Sequence, residues 1–406
     1  MRTSGRARPE LFRVFRFRSF RFQWPGDLLV SWAMEMEVLI LGWFVLVATD
    51  SPLLLATLAA LHYGGTLISP YFGVIADRVE RRSMLIVMRL IYAGLAAVVM
   101  ALGLTGSVEP WQLFIISAVS GLVKPSDLLV RNSLIADTVP LAELRNAMGV
   151  ARTTMDSARI IGALVGAGLL SALGIGAAYG AVVGLYLASV LLSFGITVRR
   201  NRPPSSDKPW AELKLGFSYV RNNASLLPTM CLAFLANLTA IPVSHGLLPV
   251  LARDIYFVDE NGLARLVASF AVGALLGSLM MATTLGGSRP GRTMIIYLLS
   301  WHVLIVILAQ VTTALAGMLL LVLIGAAQSY AMISMSVLLL GTAEEAFRGR
   351  VSGVRMLAVY GLPVGLILGG TLIELIGVLA TFAVFGMVGV VLILAVTVLW
   401  PEIWKS

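Results

Sequence analysis

The sequence predicts an all-α polytopic membrane protein, with twelve transmembrane helices in two six-helix halves. Three observations carry this reading. Of 406 residues, 58% are hydrophobic and only 13% are charged, about half the charge fraction of a soluble domain. Apolar runs of ~20 residues, the length needed to cross a bilayer core, recur twelve times along the chain. Lys and Arg gather at the ends of those runs, overwhelmingly on one side.

The runs fall at 26–49, 52–76, 84–106, 111–135, 148–173, 175–198, 226–251, 263–285, 293–313, 315–340, 351–376 and 379–400. An even count places both termini on one side. Twenty-two Lys and Arg residues lie in the termini and loops of that side, from Arg2 to Lys405, whereas the opposite loops hold only Arg253 and Arg265. Short loops rich in Lys and Arg stay in the cytoplasm, so both termini are expected there and the membrane is expected to be the bacterial inner (plasma) membrane. The net charge of +9 therefore reflects topology, and no nucleic-acid partner is expected. The N-terminal Arg-rich stretch precedes an apolar segment too long for a signal peptide and without a small-residue cleavage site. It is expected to remain as the first span.

The longest internal linker, containing "NRPPSSDKP", separates spans six and seven. The chain is thus divided into a basic cytoplasmic N-terminus (1–25), an N-terminal half (26–198), a cytoplasmic linker (199–223), a C-terminal half (224–400) and a short cytoplasmic tail (401–406). Within the linker, "WAELKLGFSYVRNN" alternates apolar and polar residues at helical spacing, as an amphipathic helix on a membrane surface does. Two six-helix halves joined this way suggest a transporter with a central binding site.

After span two comes "GVIADRVERRSML", residues 73–85. It resembles the loop motif of the major facilitator superfamily, with matches at Gly73, Asp77, Arg78, Arg81, Arg82 and Leu85. Glu80 stands where the family usually has Gly. The resemblance implies that Asp77 docks against the cytoplasmic start of span eleven, here "RGRVSG" with Arg348 and Arg350, as a conformational gate. "GDLLVSWAMEMEVLILGWFVLVATDSP", "RNSLIADTVPLAELRNAMG" and "RGRVSGVRMLAVYGLPVGLILGG" are similar to segments of the drug:proton antiporter branch that holds macrolide efflux and enterobactin export proteins. In span five "RIIGALVGAG" resembles the Gly-rich antiporter motif, with Ala163 in the usual Pro position. Gly162 and Gly166 also have the G-x-x-x-G spacing of helix packing.

Charge inside the spans marks candidate function. Lys124, Asp127 and Arg131 form one stripe on span four; Arg152, Asp156 and Arg159 form another on span five. Counted inward from their short hairpin at ~1.5 Å per residue, the stripes match in depth and sign, with levels near 9, 15 and 20 Å. Glu35 and Glu37 on span one bring the sum of the eight charges to zero. Facing lipid, six such charges would cost on the order of 15–20 kcal/mol, so they are expected to face each other or a cavity. They either exchange protons and bind substrate or form a static salt-bridge network.

The expectation is a secondary active transporter working by alternating access, exporting a drug- or siderophore-like molecule by proton coupling. Uptake or uniport of an organic anion and a non-transporting scaffold or sensor are the alternatives. No nucleotide-binding Gly-rich loop, nucleophile elbow or paired carboxylates argue for an enzyme. Neither a cofactor nor a metal is expected: Cys231 is the single cysteine, and His62, His245 and His302 lie on separate spans, as packing histidines do. The expected partners are the lipid bilayer, a small-molecule substrate and protons, with the protein a monomer.

Overall fold

The computed structural model describes residues 10–67, 80–197, 209–284, 289–344 and 347–405. They are helical, with no strand among them. A 3-10 turn at Glu10–Arg16 leads into α1, Arg18–Thr49. This helix starts ahead of the expected first span because its opening turns are anchored by aromatics. Phe15 meets Phe20 and Trp24 edge-on, at 5.4 and 5.2 Å, a geometry the ring quadrupoles favour. Phe20 sits in a buried cluster with Val14, Ile135 and Val150.

The helices that follow are α2 (Pro52–Tyr63), α3 (Arg81–Thr105), α4 (Pro110–Thr138), α5 (Leu141–Ser193) and α6 (Pro209–Arg221). After them come α7 (Leu226–His245), α8 (Glu260–Thr284), α9 (Pro290–Leu308), α10 (Ala314–Thr342), α11 (Arg348–Ile376) and α12 (Val378–Leu399). Ten helices among the described residues are long and apolar enough to cross a membrane. Two local features separate that number from the expected twelve. α2 continues only as a 3-10 turn to Leu67, and the rest of the expected second span lies outside the described residues. The expected fifth and sixth spans form one run, α5, interrupted at Gly174 with φ 76° and ψ 174°. Side-chain-bearing residues rarely adopt that conformation. Gly377, between α11 and α12, has nearly the same backbone, φ 84° and ψ 166°.

α7 is irregular. It widens into a π segment at Ala236–Ala240 just before Pro242, whose missing N–H breaks the regular ladder. His302 on α9 reaches this segment. Its Nε2 lies 2.9 Å from Thr239 Oγ1 and its Nδ1 2.8 Å from the Leu298 carbonyl, a buried and fully partnered packing histidine.

The residues group into two compact units. The first draws on Met1–Glu37, Ile68–Val108 and Val123–Ser205, the second on Val38–Leu67, Glu109–Leu122 and Ser206–Ser406. In the second unit α2 lies along α11, where Gly370 lets the Pro52–Leu53 backbone approach closely. Glu374 of α11 accepts hydrogen bonds from Ser51 Oγ at 2.5 Å and the Leu53 N–H at 3.2 Å, satisfying donors at the open N-terminus of α2. The amphipathic linker segment is α6. It packs on the start of α11, with Tyr219 stacked on Phe347 at 4.2 Å and Gly216 against Arg350.

α8 is capped by Asp259, which accepts from the Gly262 N–H at 2.9 Å. That backbone donor holds the Asp259 carboxyl below its usual range. A depressed carboxylate stabilises the fold above its unfolded pKa, and the contribution is lost as pH falls through the folded value. Asp259→Ala is expected to cost about 1 kcal/mol at neutral pH and less in acid, where the carboxyl is protonated. Thermal melts of both proteins against pH check this, and a gap that does not narrow in acid would contradict it.

Candidate functional site

The first unit brings charge together from four helices. On α1, Asp27, Ser31 and Glu35 recur every four residues and so share one face; Gln23 precedes them and Glu37 follows. Two distinct groups form along this helix.

The first group is sealed. Arg89 of α3 has no exposed surface. It ion-pairs with Asp27 and donates to Ser193 Oγ at 2.7 Å and the Ser189 carbonyl at 3.1 Å. Gly26 admits it, since a Cβ there would stand 2.7 Å from Arg89 Nη1. Arg131 of α4 pairs with Asp127 one turn before it and lies 3.7 Å from Asp27. Its Nη1 also donates to Ser31 Oγ at 3.1 Å and the Asp27 carbonyl at 3.3 Å. Gln23 closes the group from α1, donating to the Arg131 carbonyl at 2.9 Å. Two acids and two bases, all buried, tie α1, α3, α4 and α5 together.

The second group is partly open. Glu35 lies 3.9 Å from Arg159 of α5, their side chains 29% and 27% exposed. Glu37 is buried and accepts from Tyr186 O–H at 2.6 Å. Lys124 of α4 interacts electrostatically with both Glu35 and Glu37. Gly162 and Gly166 bring α5 against α1 at this level. A Cβ at Gly162 would stand 2.8 Å from Glu35 Cβ and 2.9 Å from the Trp32 carbonyl, and one at Gly166 3.0 Å from Met36 Cα. The Gly-rich motif is thus the contact that sets Arg159, one turn before Gly162, beside Glu35.

The stripe on α4 is therefore divided. Lys124 joins the open group, whereas Asp127 and Arg131 join the sealed one, where Arg131 is partnered by Asp27, Ser31 and Gln23 of α1. Arg152 and Asp156 lie on α5, but their side chains are outside the described residues, so the expected pairing of the two stripes is described only at Arg159. Of the gate motif, Gly73, Asp77 and Arg78 lie outside the described residues. Arg81 pairs with Asp137 at the end of α4, and Arg82 donates to the Phe194 carbonyl at 2.8 Å. At the start of α11, Arg348 donates to the Leu340 carbonyl at 3.1 Å, and Arg350 lies over the Phe347 ring at 5.0 Å.

Sequence reasoning missed Asp27 and Arg89. Asp27 sits beside the boundary of the first apolar run, where it reads as a loop residue. Arg89 stands alone within "SMLIVMRLIYAG"; one charge in an otherwise apolar run was the signal for it. Among the described residues no group of three His, Cys, Asp or Glu side chains is placed to hold a metal ion.

Comparison with known proteins agrees with this architecture. Residues 29–363 match the family model of the Major Facilitator Superfamily. The chain is 22% identical over 395 residues to the MFS-type transporter YfiS of Bacillus subtilis (strain 168), covering 93% of this chain and 91% of that protein. It is 22% identical over 280 residues to macrolide efflux protein A of Streptococcus pyogenes, covering 67% and 68%. Among solved structures, the nucleoside transporter NupG superimposes with a TM-score of 0.74 at 15% identity, over 95% of this chain and 99% of that one. A family-model match over most of the chain, joined to helices long and apolar enough to cross a membrane, shows that the protein belongs to the Major Facilitator Superfamily, a family of membrane transporters and not of enzymes.

Proposed function

We propose that the chain is a proton-coupled exporter of a small, drug-like molecule, working by alternating access. The observation that carries this is the open group of Glu35, Glu37, Lys124 and Arg159. Two acids and two bases sum to zero, so one proton on Glu37 changes the sum to +1. That change disfavours a substrate bearing a basic amine and favours an anion. A basic drug bound at the part-exposed Glu35 would therefore compete with the proton, which is the thermodynamic requirement for antiport. The resemblance to a macrolide efflux protein supports such a drug.

The sign argument also defines a second reading. Lys124 and Arg159 would bind an anionic group more tightly when Glu37 is protonated, giving uptake of an organic anion. Erythromycin, which carries a basic amine, is the probe that separates the two. In liposomes with an imposed pH gradient, antiport drives erythromycin against the proton flow. Erythromycin flux that ignores the gradient, alongside gradient-driven flux of a carboxylate dye, would establish the second reading instead.

The remaining assignments rest on the same proposal. Twelve spans in halves 26–198 and 224–400 are supported by the matching glycine breaks at Gly174 and Gly377. A cytoplasmic linker and cytoplasmic termini in the bacterial inner membrane are supported by the one-sided Lys and Arg. Asp77 is assigned to gate the start of α11 at Arg348 and Arg350. The working unit is a monomer.

A further inference from the structure

Glu37 lies within a group of buried tyrosines that the charge pattern does not explain. Tyr186 donates to it, whereas Tyr92 and Tyr179, 1% and 0% exposed, have no hydrogen-bond partner for their hydroxyls among the described residues. Both lie within electrostatic reach of Glu37. The Tyr92 ring is tilted at 31° to that of Tyr186, with centroids 5.5 Å apart, and Tyr92 lies within electrostatic reach of Asp127 and Arg131. Gln23 Oε1 on α1 and Asp127 Oδ1 on α4 are likewise buried without a hydrogen-bond partner among the described residues. A cavity of about 30 Å³ opens beside Gln23; its lining is mostly apolar, with Asp27, Ser31, Arg131 and Thr154 among its polar members. That is room for a water with polar partners in reach.

These four atoms, with others of the same region such as Ser126 Oγ, are unpartnered among the described residues, whereas buried polar groups are normally satisfied by protein or by ordered water. Tyr179 lies within electrostatic reach of Glu37, Tyr92 of both Glu37 and Asp127, and Asp127 of Asp27; on α1, Glu37 and Asp27 are ten residues or about 15 Å apart. We propose that internal water held by Tyr92, Tyr179, Asp127 and Gln23 connects Glu37 to the Asp27 level of α1, and that this water carries the proton to and from Glu37. Each transfer breaks one O–H bond and forms another, so no group is oxidised or reduced. Tyr92 is the positioning residue at the midpoint, between the open and sealed groups. The groups facing Glu37 are Tyr186 and Tyr179 from α5, Tyr92 from α3 and Lys124 from α4; of these the relay uses the tyrosines. The relay rests on the reading of Glu37 as the proton-holding acid.

Infrared difference spectra of the purified protein during a pH titration test it without any substrate. The Glu37 carboxyl band is the one missing from Glu37→Gln, and its shift after mixing with heavy water reports proton exchange. Tyr92→Phe removes only a hydroxyl, so the melting temperature is expected to hold while exchange slows by about tenfold or more. An exchange rate unchanged in Tyr92→Phe, with the Glu37 band present, overturns the relay and leaves Glu37 as the proton site. No band distinguishing the wild type from Glu37→Gln overturns the reading of Glu37 itself. Radiolytic labelling with isotope-enriched water gives a separate readout: label is expected on Tyr92 and Tyr179, and its absence from both means the region is dry and the relay is wrong.

Discussion

Asp27→Asn is expected to destabilise the protein by about 3–5 kcal/mol, the cost of stripping one partner from a buried ion pair. The size follows from what remains. Arg89, with no exposed surface, would keep its bonds to Ser193 and Ser189 but lose the anion that neutralises it, and Arg131 would lose the second of its two carboxylates. Arg89→Met should be comparably damaging, because Asp27 would then face only Arg131 at 3.7 Å. The double variant Asp27→Asn with Arg89→Met is expected to recover part of the combined loss, since it buries no uncompensated charge. Detergent-solubilised melts of the two single variants and the double variant measure the coupling. Strict additivity would show that the pair does not act as a unit and that α1 and α3 are held by packing alone.

Glu37→Gln is expected to abolish the pH dependence of drug binding. In the wild type, deprotonation of Glu37 brings the open group from +1 to zero, so erythromycin should bind more tightly as pH rises. Coupling between two ligands of one protein is typically ~5–150-fold, and that is the expected range of the change across the titration. Glutamine fixes the group in its +1 state, so affinity should be low and flat with pH. Glu35→Gln should differ: the part-exposed carboxylate meets the drug, and its loss weakens binding at every pH while the slope persists. Calorimetric titration of erythromycin against both variants separates the roles. A slope preserved in Glu37→Gln would remove Glu37 from the coupling.

The two variants also show which features of the site a linear reading reaches. Glu35, Glu37, Lys124 and Arg159 were legible because an ionisable group inside an apolar run is conspicuous, and their zero sum could be counted. Their neighbours were also legible at the glycines: the spacing of Gly162 and Gly166 marks a face without side chains, and α5 uses it to approach α1. Asp27 was lost at a helix boundary, which sequence places only to within a turn or two. Tyr92, Tyr179 and Tyr186 carry no signal at all, because a tyrosine in an apolar span is an ordinary core residue until the partners of its hydroxyl are known.

By itself the sequence determined a membrane transporter-like chain of apolar helices, the basic residues gathered between its apolar runs, and the set of charges that cannot face lipid. Composition and spacing suffice for these because the bilayer imposes a length and a dielectric cost on each segment separately. The tertiary structure alone decided how those charges are partitioned. It gave Asp127 and Arg131 to a sealed clamp with Asp27 and Arg89, and Lys124 and Arg159 to a part-open group with Glu35 and Glu37. Partnering depends on the rotation and depth of each helix against its neighbours, and on where glycines such as Gly26 and Gly162 allow close approach. Those are relations between segments far apart in the chain, and periodicity within one segment does not record them.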